Sequence, residues 1–446
     1  MFFILGGCGI YTTYQRAECL PVDSLYRDVM REERNSTSVA NLSWRELFSD
    51  TCLVRWIELG LERNTDLLTA RLRVEETRAS LKASKLALLP SVSLDPQGSV
   101  TTSEKGETTR SYSLEITAAW EMDVFGCLRN AREGAKAACE ASLAYEQVVQ
   151  TQLVATIADT YYSLLALDKK LSITQETVEN WRANLRVMEA LKRAGQRDEA
   201  AVAQAEASLW AAEASILSLE KQIYELENSF SVLLGITPRK IERGDLLELR
   251  FPEDMSVGLP VELLSRRPDV RQAEFELAQA FYATNQARSA FYPQITLSGA
   301  AGWTNSAGGI ISNPGSWLVE AIGSLVQPLF NRGTNEANLE IAKAQQEEAL
   351  LAFGQKLLDA GVEVNNALIQ WQTARSMLKL DDKQVVALET AVASTWKLMQ
   401  CGNTNYLEVL TAQQTLLDSK LTWVTDKYSE IQGVINLYHA LGGGVD

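Results

Sequence analysis

In the stretch RSYSLEITAAWEMDVFG (residues 110–126), apolar residues occupy alternate positions: Tyr112, Leu114, Ile116, Ala118, Trp120, Met122 and Val124. Between them stand Ser113, Glu115, Thr117, Ala119, Glu121 and Asp123. Side chains alternate between the two faces of a strand, so the pattern specifies a strand with one apolar and one polar face. Its length meets the ~9–11 residues of a membrane-crossing strand. Such a strand needs an apolar medium for one face and a hydrogen-bonding neighbour on each edge.

Three further segments read as strands of similar length. Strand one covers 91–103 and turns at Glu104-Lys105-Gly106-Glu107 into strand two, 110–124. Strand three, 294–304, places Ile295, Leu297, Gly299, Ala301 and Trp303 on one face. A Gly/Asn/Ser-rich loop (305–316) leads to strand four, 317–329, where Trp317, Val319, Ala321 and Leu325 share a face but Leu318 and Ile322 lie opposite. Strands one and three each follow a helical stretch ended by proline: 50–89 before Pro90, and a helix opened by Arg267-Pro268-Asp269 that stops before Pro293. Proline disfavours helix in the residue before it and suits a helix's first turn.

The chain repeats itself. LALLPSVSL (86–94) is echoed by SAFYPQITL (289–297), and VLLGITP (232–238) by HALGGGV (439–445). Each half therefore carries a helix, a strand pair, a long helix and a shorter helix, with the join near 236–262. Residues 127–194 contain no proline and only Gly134, enough for a helix on the order of 100 Å. Val202, Ala205, Leu209, Ala212, Ile216, Leu219, Ile223, Leu226, Phe230 and Leu233 step by three and four, as do Leu407, Leu410, Gln414, Leu417, Leu421, Val424, Tyr428, Ile431, Ile435 and Tyr438. Heptads this regular specify long helices packed side by side. Taken alone, they describe a coiled-coil scaffold away from any membrane equally well.

The strands decide between these readings. Small residues, Ala118, Gly299, Ala301 and Ala321, sit on their apolar faces, where a soluble core needs bulk. Aromatics lie near the strand ends: Tyr112, Trp303 and Trp317 at one level, Trp120, Phe125, Tyr292 and Phe330 at the other. Rings at both interfaces are the girdle of an outer-membrane barrel. Four strands cannot close one, and lipid tolerates no open edge, so several copies of the chain must share the barrel.

Composition excludes most chemistry. The net charge of −15 repels nucleic acid. A single histidine, His439, leaves no ordinary zinc site, Ser-His-Asp triad or histidine acid–base pair; it reads as a polar packing residue. No phosphate loop, Gly-x-Ser-x-Gly or Cys-x-x-Cys occurs, and the chain does not read as an enzyme. Cysteines 8, 19, 52, 127, 139 and 401 are too scattered for a disulfide framework. Leu5-Gly6-Gly7-Cys8 has the small-residue pattern that precedes a lipid-modified cysteine, behind a short signal-like segment, 1–7, that reads as truncated.

Four segments carry a family resemblance: LPVELLSRRPDVRQAE (259–274), WEMDVFGCLRNA (120–131), QPLFNRG (327–333) and GNTNYLEVLTAQ (402–413). Over about 40–446 the chain resembles the TolC-type outer-membrane efflux proteins, in their lipoprotein branch typified by OprM, CusC and NodT. Cys127 stands where that branch more often has a basic residue. The resemblance implies a mainly α fold with a two-fold internal repeat, trimeric, its 12-stranded transmembrane β-barrel continuous with a periplasmic α-helical barrel. It implies a passive exit duct in the outer membrane, extending into the periplasm, working with a periplasmic adaptor and an inner-membrane RND pump. A channel for type I protein secretion shares the fold and is the alternative. By resemblance, residues 8–45 form an arm with lipid on Cys8 and no other cofactor. Residues 46–90, 126–260, 261–293 and 330–440 form the helical barrel and equator, and 91–125 with 294–329 the membrane hairpins.

The family closes its tunnel at the periplasmic tip with acids on the last long helix. Glu408 matches the first such position; Thr411 stands where some members carry a second acid. Three copies of Glu408 would crowd carboxylates at one level, where like charges hinder one another's ionisation. Met399 begins the constriction expected up to Glu408. In the first half, Arg193, Arg197 and Asp198 fall at the matching tip, as candidates for ion pairs that latch the closed state.

Overall fold

In the computed structural model, residues 11, 13–16, 25, 43–104, 106, 108–195, 199–246, 266–305 and 316–444 are described. Cys8, Arg197 and Asp198, with most of 1–42 and all of 247–265 and of the 306–315 loop, lie outside the described residues. The chain divides into two compact units: Met1–Leu20 with Arg71–Tyr145 and Arg271–Lys356, and Pro21–Ala70 with Glu146–Val270 and Leu357–Asp446.

The helices are α1 (Trp44–Leu47), α2 (Thr51–Arg63), α3 (Thr65–Leu86), α4 (Cys127–Arg193), α5 (Glu199–Leu233), α6 (Pro268–Ser289), α7 (Thr334–Gln400) and α8 (Tyr406–Ala440). The strands are β1 (Ser91–Thr102), β2 (Thr108–Met122), β3 (Gln294–Asn305) and β4 (Ser316–Val326). The internal repeat is exact in helix length: α3 and α6 have 22 residues each, α4 and α7 have 67, and α5 and α8 have 35.

The first unit holds the sheet, antiparallel in the order β1-β2-β3-β4. Register places the apolar residues of all four strands in common rows. Val92 faces Ala118, which faces Gly299, which faces Ala321; Leu94, Ile116, Ala301 and Val319 form the next row. Pro96, Leu114, Trp303 and Trp317 follow. Toward the other end come Trp120, Leu297 and Gly323, then Met122, Ile295 and Leu325. This face is uncovered within the chain: Val92 is 70% exposed, Ile116 52% and Val319 77%. The opposite face is largely polar and internally bonded. Thr117 donates to Asp95 at 2.7 Å, and hydroxyls pair between Ser93 and Thr117 (2.9 Å) and between Ser99 and Ser111 (2.7 Å). Gly302, on this polar side, allows close strand approach, because a Cβ there would meet the Leu114 carbonyl oxygen at 2.2 Å. Among the described residues, β1 and β4 each have a single strand neighbour, so both outer edges are open within the chain.

Several boundaries differ from the sequence expectation; strand two, read as 110–124, spans Thr108–Met122. The stretch 50–89 is two helices, because Asn64 is extended (φ −60°, ψ 128°) and caps α3, accepting the Leu67 N–H at 2.9 Å. Strand four stops at Val326, short of 329, since Pro328 lacks the N–H a ladder needs.

In the second unit the long helices bury the expected stripes. Val202, Ala205, Leu209, Ala212, Leu219, Ile223 and Phe230 of α5 are buried, as are Leu410, Leu417, Val424, Ile431, Ile435 and Tyr438 of α8. Leu407 (49% exposed) and Gln414 are exposed, and Ile216, Leu226, Leu233, Leu421 and Tyr428 are half-buried; Tyr406 takes the inward place at the start of α8. The repeat also recurs in detail. The Asn64 amide donates to the Leu233 carbonyl at 2.8 Å, and Arg267, its counterpart, donates to the Ala440 carbonyl at 3.0 Å. Each helix then ends on a glycine at positive φ, Gly235 (+67°) and Gly442 (+84°), whose missing Cβ leaves room for the carbonyls of Arg63 and Arg266. His439 is half-buried beside this clasp. Burial and the Arg267 charge push its imidazole below its ordinary value, so it packs as a neutral ring.

Candidate functional site

Two places carry the functional expectations: the sheet with its exit into α4, and the turns where the long helices reverse.

At the sheet, the WEMDVFG segment is a junction in which each named residue has a local task. The Trp120 indole N–H donates to the Leu88 carbonyl at 3.0 Å. The Asp123 carboxylate accepts the backbone N–H groups of Leu128 (3.1 Å) and Arg129 (2.9 Å), and the Arg129 Nε at 3.1 Å. An acid there satisfies donors that the start of α4 would otherwise leave bare. Phe125 stacks on Tyr292, ring centroids 5.1 Å apart, and Gly126 turns the chain at φ +79°. In the second half, Arg332 (φ 49°) and Gly333 (φ +77°) make the corresponding turn, and Asn335 donates to the Ala290 carbonyl at 3.1 Å.

The aromatic positions fall at two levels. Trp303 pairs in register with Trp317 and Leu114, and Tyr112 lies one step further toward that end, opposite Asn305. Trp120 pairs with Leu297, six residues from Trp303 along β3, a separation of about 20 Å at strand rise.

At the turns, four helix ends meet. Met188 of α4, Val202 and Ala205 of α5, Met399 of α7, and Tyr406, Val409 and Leu410 of α8 form one buried cluster, with Leu185, Leu191, Ala201 and Trp396 against it. Val178, Trp181, Leu209, Ala212 and Leu417 form a second. Met399 is thus a packing residue, 3% exposed within the chain. Gly195 (φ +72°) and Gly402 (φ +77°) make the reversals. At the second, Gly402 donates to the Met399 carbonyl (3.1 Å) and Asn403 to that of Leu398 (3.0 Å), the paired bonds that end a helix on a left-handed glycine.

Glu408 and Thr411 lie on the exposed side of α8, away from the cluster. Asn405 caps the helix, accepting the Glu408 N–H at 3.1 Å, and the Glu408 carboxylate accepts the Thr404 hydroxyl. The Thr411 hydroxyl is turned back to the Leu407 carbonyl at 2.8 Å. Glu408 therefore has one carboxylate bond inside its own turn and an otherwise open carboxylate. In the first half, Arg193 is exposed, and among the described residues the ion pair spanning the turn is Lys192 with Glu199. Sequence reasoning passed over that pair; two opposite charges flanking the Gly195 turn were its only signal. Cys52, Cys127, Cys139 and Cys401 are free thiols.

No helix of the described residues is long and apolar enough to cross a membrane. A half-apolar sheet with open edges, in a chain whose long helices pair and reverse at glycine turns, defines a component of an outer-membrane channel. The chain belongs to the outer membrane efflux protein family, whose model matches residues 56–236 and 259–443. It is similar to the cation efflux system protein CusC of Escherichia coli K12, at 28% identity over 99% of this chain and 97% of that one. A probable outer membrane lipoprotein of Salmonella typhimurium, SilC, matches at 28% identity, over 99% and 97%. Among solved structures, the outer-membrane channel OprN superposes with a TM-score of 0.88 at 26% identity, covering 98% of this chain and all of that one. The protein is accordingly the outer-membrane channel component of an RND-type tripartite efflux system, a passive conduit.

Proposed function

We propose that the protein works as a homotrimer in which three four-stranded sheets close one twelve-stranded barrel in the outer membrane. The apolar rows face lipid and the polar face lines the lumen. The long helices of the three chains form the periplasmic tunnel, which receives small molecules from an inner-membrane RND pump through a periplasmic adaptor. The observation that carries this reading is the pairing of a continuous apolar face with two open edges, β1 and β4. Lipid admits such a sheet only if another copy satisfies those edges.

The same reading makes Cys8 a lipid anchor, supported by the Leu-Gly-Gly-Cys pattern and by a relative named as a probable lipoprotein. Fatty-acid labelling of the protein expressed behind a complete secretion signal is expected to disappear in Cys8→Ser while barrel insertion persists. Unlabelled parent protein would remove the anchor.

At the tip, we assign the constriction to the α7–α8 turn, with Glu408 toward the three-fold axis, Thr411 one turn further along α8, and the Met399 cluster holding the helix ends. Arg193, Arg197 and Asp198 lie at the corresponding first-half turn as latch candidates beside the Lys192–Glu199 pair. The test is single-channel recording in planar bilayers. Glu408→Ala is expected to change conductance and to reduce preference for cations, since a ring of carboxylates concentrates them. Identical conductance and selectivity would reduce Glu408 to the partner of Thr404 in its own turn.

A further inference from the structure

The α7 side of the α7–α8 seam steps by four and three through Val364, Ala367, Trp371, Ala374 and Leu378, and the next step lands on Asp381. This is a heptad core position, and Asp381 is only 8% exposed. Helix α8 runs against it. Gly433 lies on the Trp371 backbone, the Trp423 indole donates to Asp382 at 2.9 Å, and Lys420 pairs with Glu389 at 2.8 Å.

Across the seam, the Asp381 carboxyl meets that of Asp426 within hydrogen-bonding reach. The Oδ2 atoms of both are buried, and among the described residues neither receives an N–H or O–H. The charges acting on Asp381 are those of Asp426 and Asp382, both negative. Flanking bases do not compensate. Lys420 and Lys427 of α8 are taken by Glu389 and by Glu430 (2.7 Å), and Lys379 and Lys383 of α7 are exposed. Two carboxylates held face to face away from water repel each other. A single proton turns that repulsion into a charge-assisted O–H···O⁻ bond.

We propose that Asp381 and Asp426 form a proton-binding pair that clasps α7 to α8, one shared proton holding the seam closed and its loss loosening the helices at this level. The proposal goes beyond the duct reading and does not rest on it, because its readout is the helix seam itself. Burial and the facing Asp426 carboxyl push the Asp381 carboxyl above its ordinary value. A group raised on folding stabilises fully in acid, and that stabilisation is lost as pH rises through the folded-state value. The clasp is therefore closed in acid and weakens as pH rises.

Hydrogen exchange of the full-length protein in detergent, read in peptides covering 374–388 and 419–433 and corrected for intrinsic pH dependence, tests this. Each unit by which the folded-state value is raised changes seam opening by about tenfold, so exchange there is expected to accelerate as pH is raised from the ordinary aspartate value of about 4 through the raised folded-state value. Asp381→Asn and Asp426→Asn each replace the shared proton by a permanent amide donor of the same shape, and both should hold exchange at the slow, acidic level throughout. Two variants guard against a folding defect in one of them. Exchange that does not depend on pH in the parent protein, or an acceleration that both variants retain, would overturn the proposal. So would an acceleration abolished by added sodium or magnesium at constant pH, which would show a cation between the carboxylates in place of a proton.

Discussion

Arg267→Met is expected to cost about 3–5 kcal/mol of stability, the scale for breaking a buried ion pair by removing one partner. Arg267 is the second arginine of the Arg-Arg-Pro-Asp-Val segment, and its side chain is 5% exposed. Its guanidinium bonds Asp269 through Nε at 2.9 Å and through a terminal nitrogen at 2.6 Å. The other terminal nitrogen reaches the Ala440 carbonyl at 3.0 Å and the Glu363 carboxylate at 2.6 Å. One side chain thus fastens the start of α6 to the end of α8 and to α7. Methionine fills much of the volume but removes two charged donors from the Asp269 carboxylate and the donor to an end-of-helix carbonyl. Loss of helical circular dichroism on heating, in detergent, reads the effect. Arg78→Gln, which removes an exposed pair with Glu75, serves as the reference and should cost under ~1 kcal/mol. Equal midpoints for the two variants would mean that the buried network is not what holds α8 in place.

Ile116→Arg should block assembly in the membrane while leaving the helices able to fold. Ile116 lies in the middle of β2 on the apolar face, between Leu94 and Ala301 in register. Arginine on the lipid face near the bilayer midplane costs about 2–4 kcal/mol, and a trimer would carry that cost in every copy. Thr117→Arg, one residue along on the polar face, is the control; it meets Asp95 and solvent and should be tolerated. The measurement is the fraction of protein in the outer membrane that resists alkaline carbonate extraction. A large fall for Ile116→Arg with little change for Thr117→Arg is expected. The reverse order would invert the faces of the sheet.

The contrast between those two neighbours shows why so much of this fold could be read from sequence. Period-two alternation in β2 fixes which residues share a face, and Pro90 and Pro293 fix where the preceding helices must stop. The stripes of α5 and α8 give the packed sides of the helices. Other features left no such mark. Asn64 breaks a helix with no proline or glycine present, because its side chain offers the backbone an alternative bond. The pairing of β2 with β3, which joins the two halves of the repeat, is dictated by no turn; only the match of apolar rows specifies it. At the tip, Glu408 was legible through resemblance, yet its bond to Thr404 and the burial of Met399 depend on the actual course of the Gly402 turn. Asp381 was hidden because a charge in the middle of a helix ordinarily faces solvent, and only the position of α8 shows that this one does not.

The central claim is that the open sheet of one chain is one third of a closed barrel. Native mass spectrometry of protein extracted from outer membranes in mild detergent tests it most directly. The expected result is a single species of three times the 49.3 kDa chain mass, allowing for attached lipid. It should keep its strand signal in circular dichroism and lose that signal only when the trimer dissociates. A stable detergent-solubilised monomer with full strand content would contradict it, because the edges of β1 and β4 would then be satisfied without any partner chain.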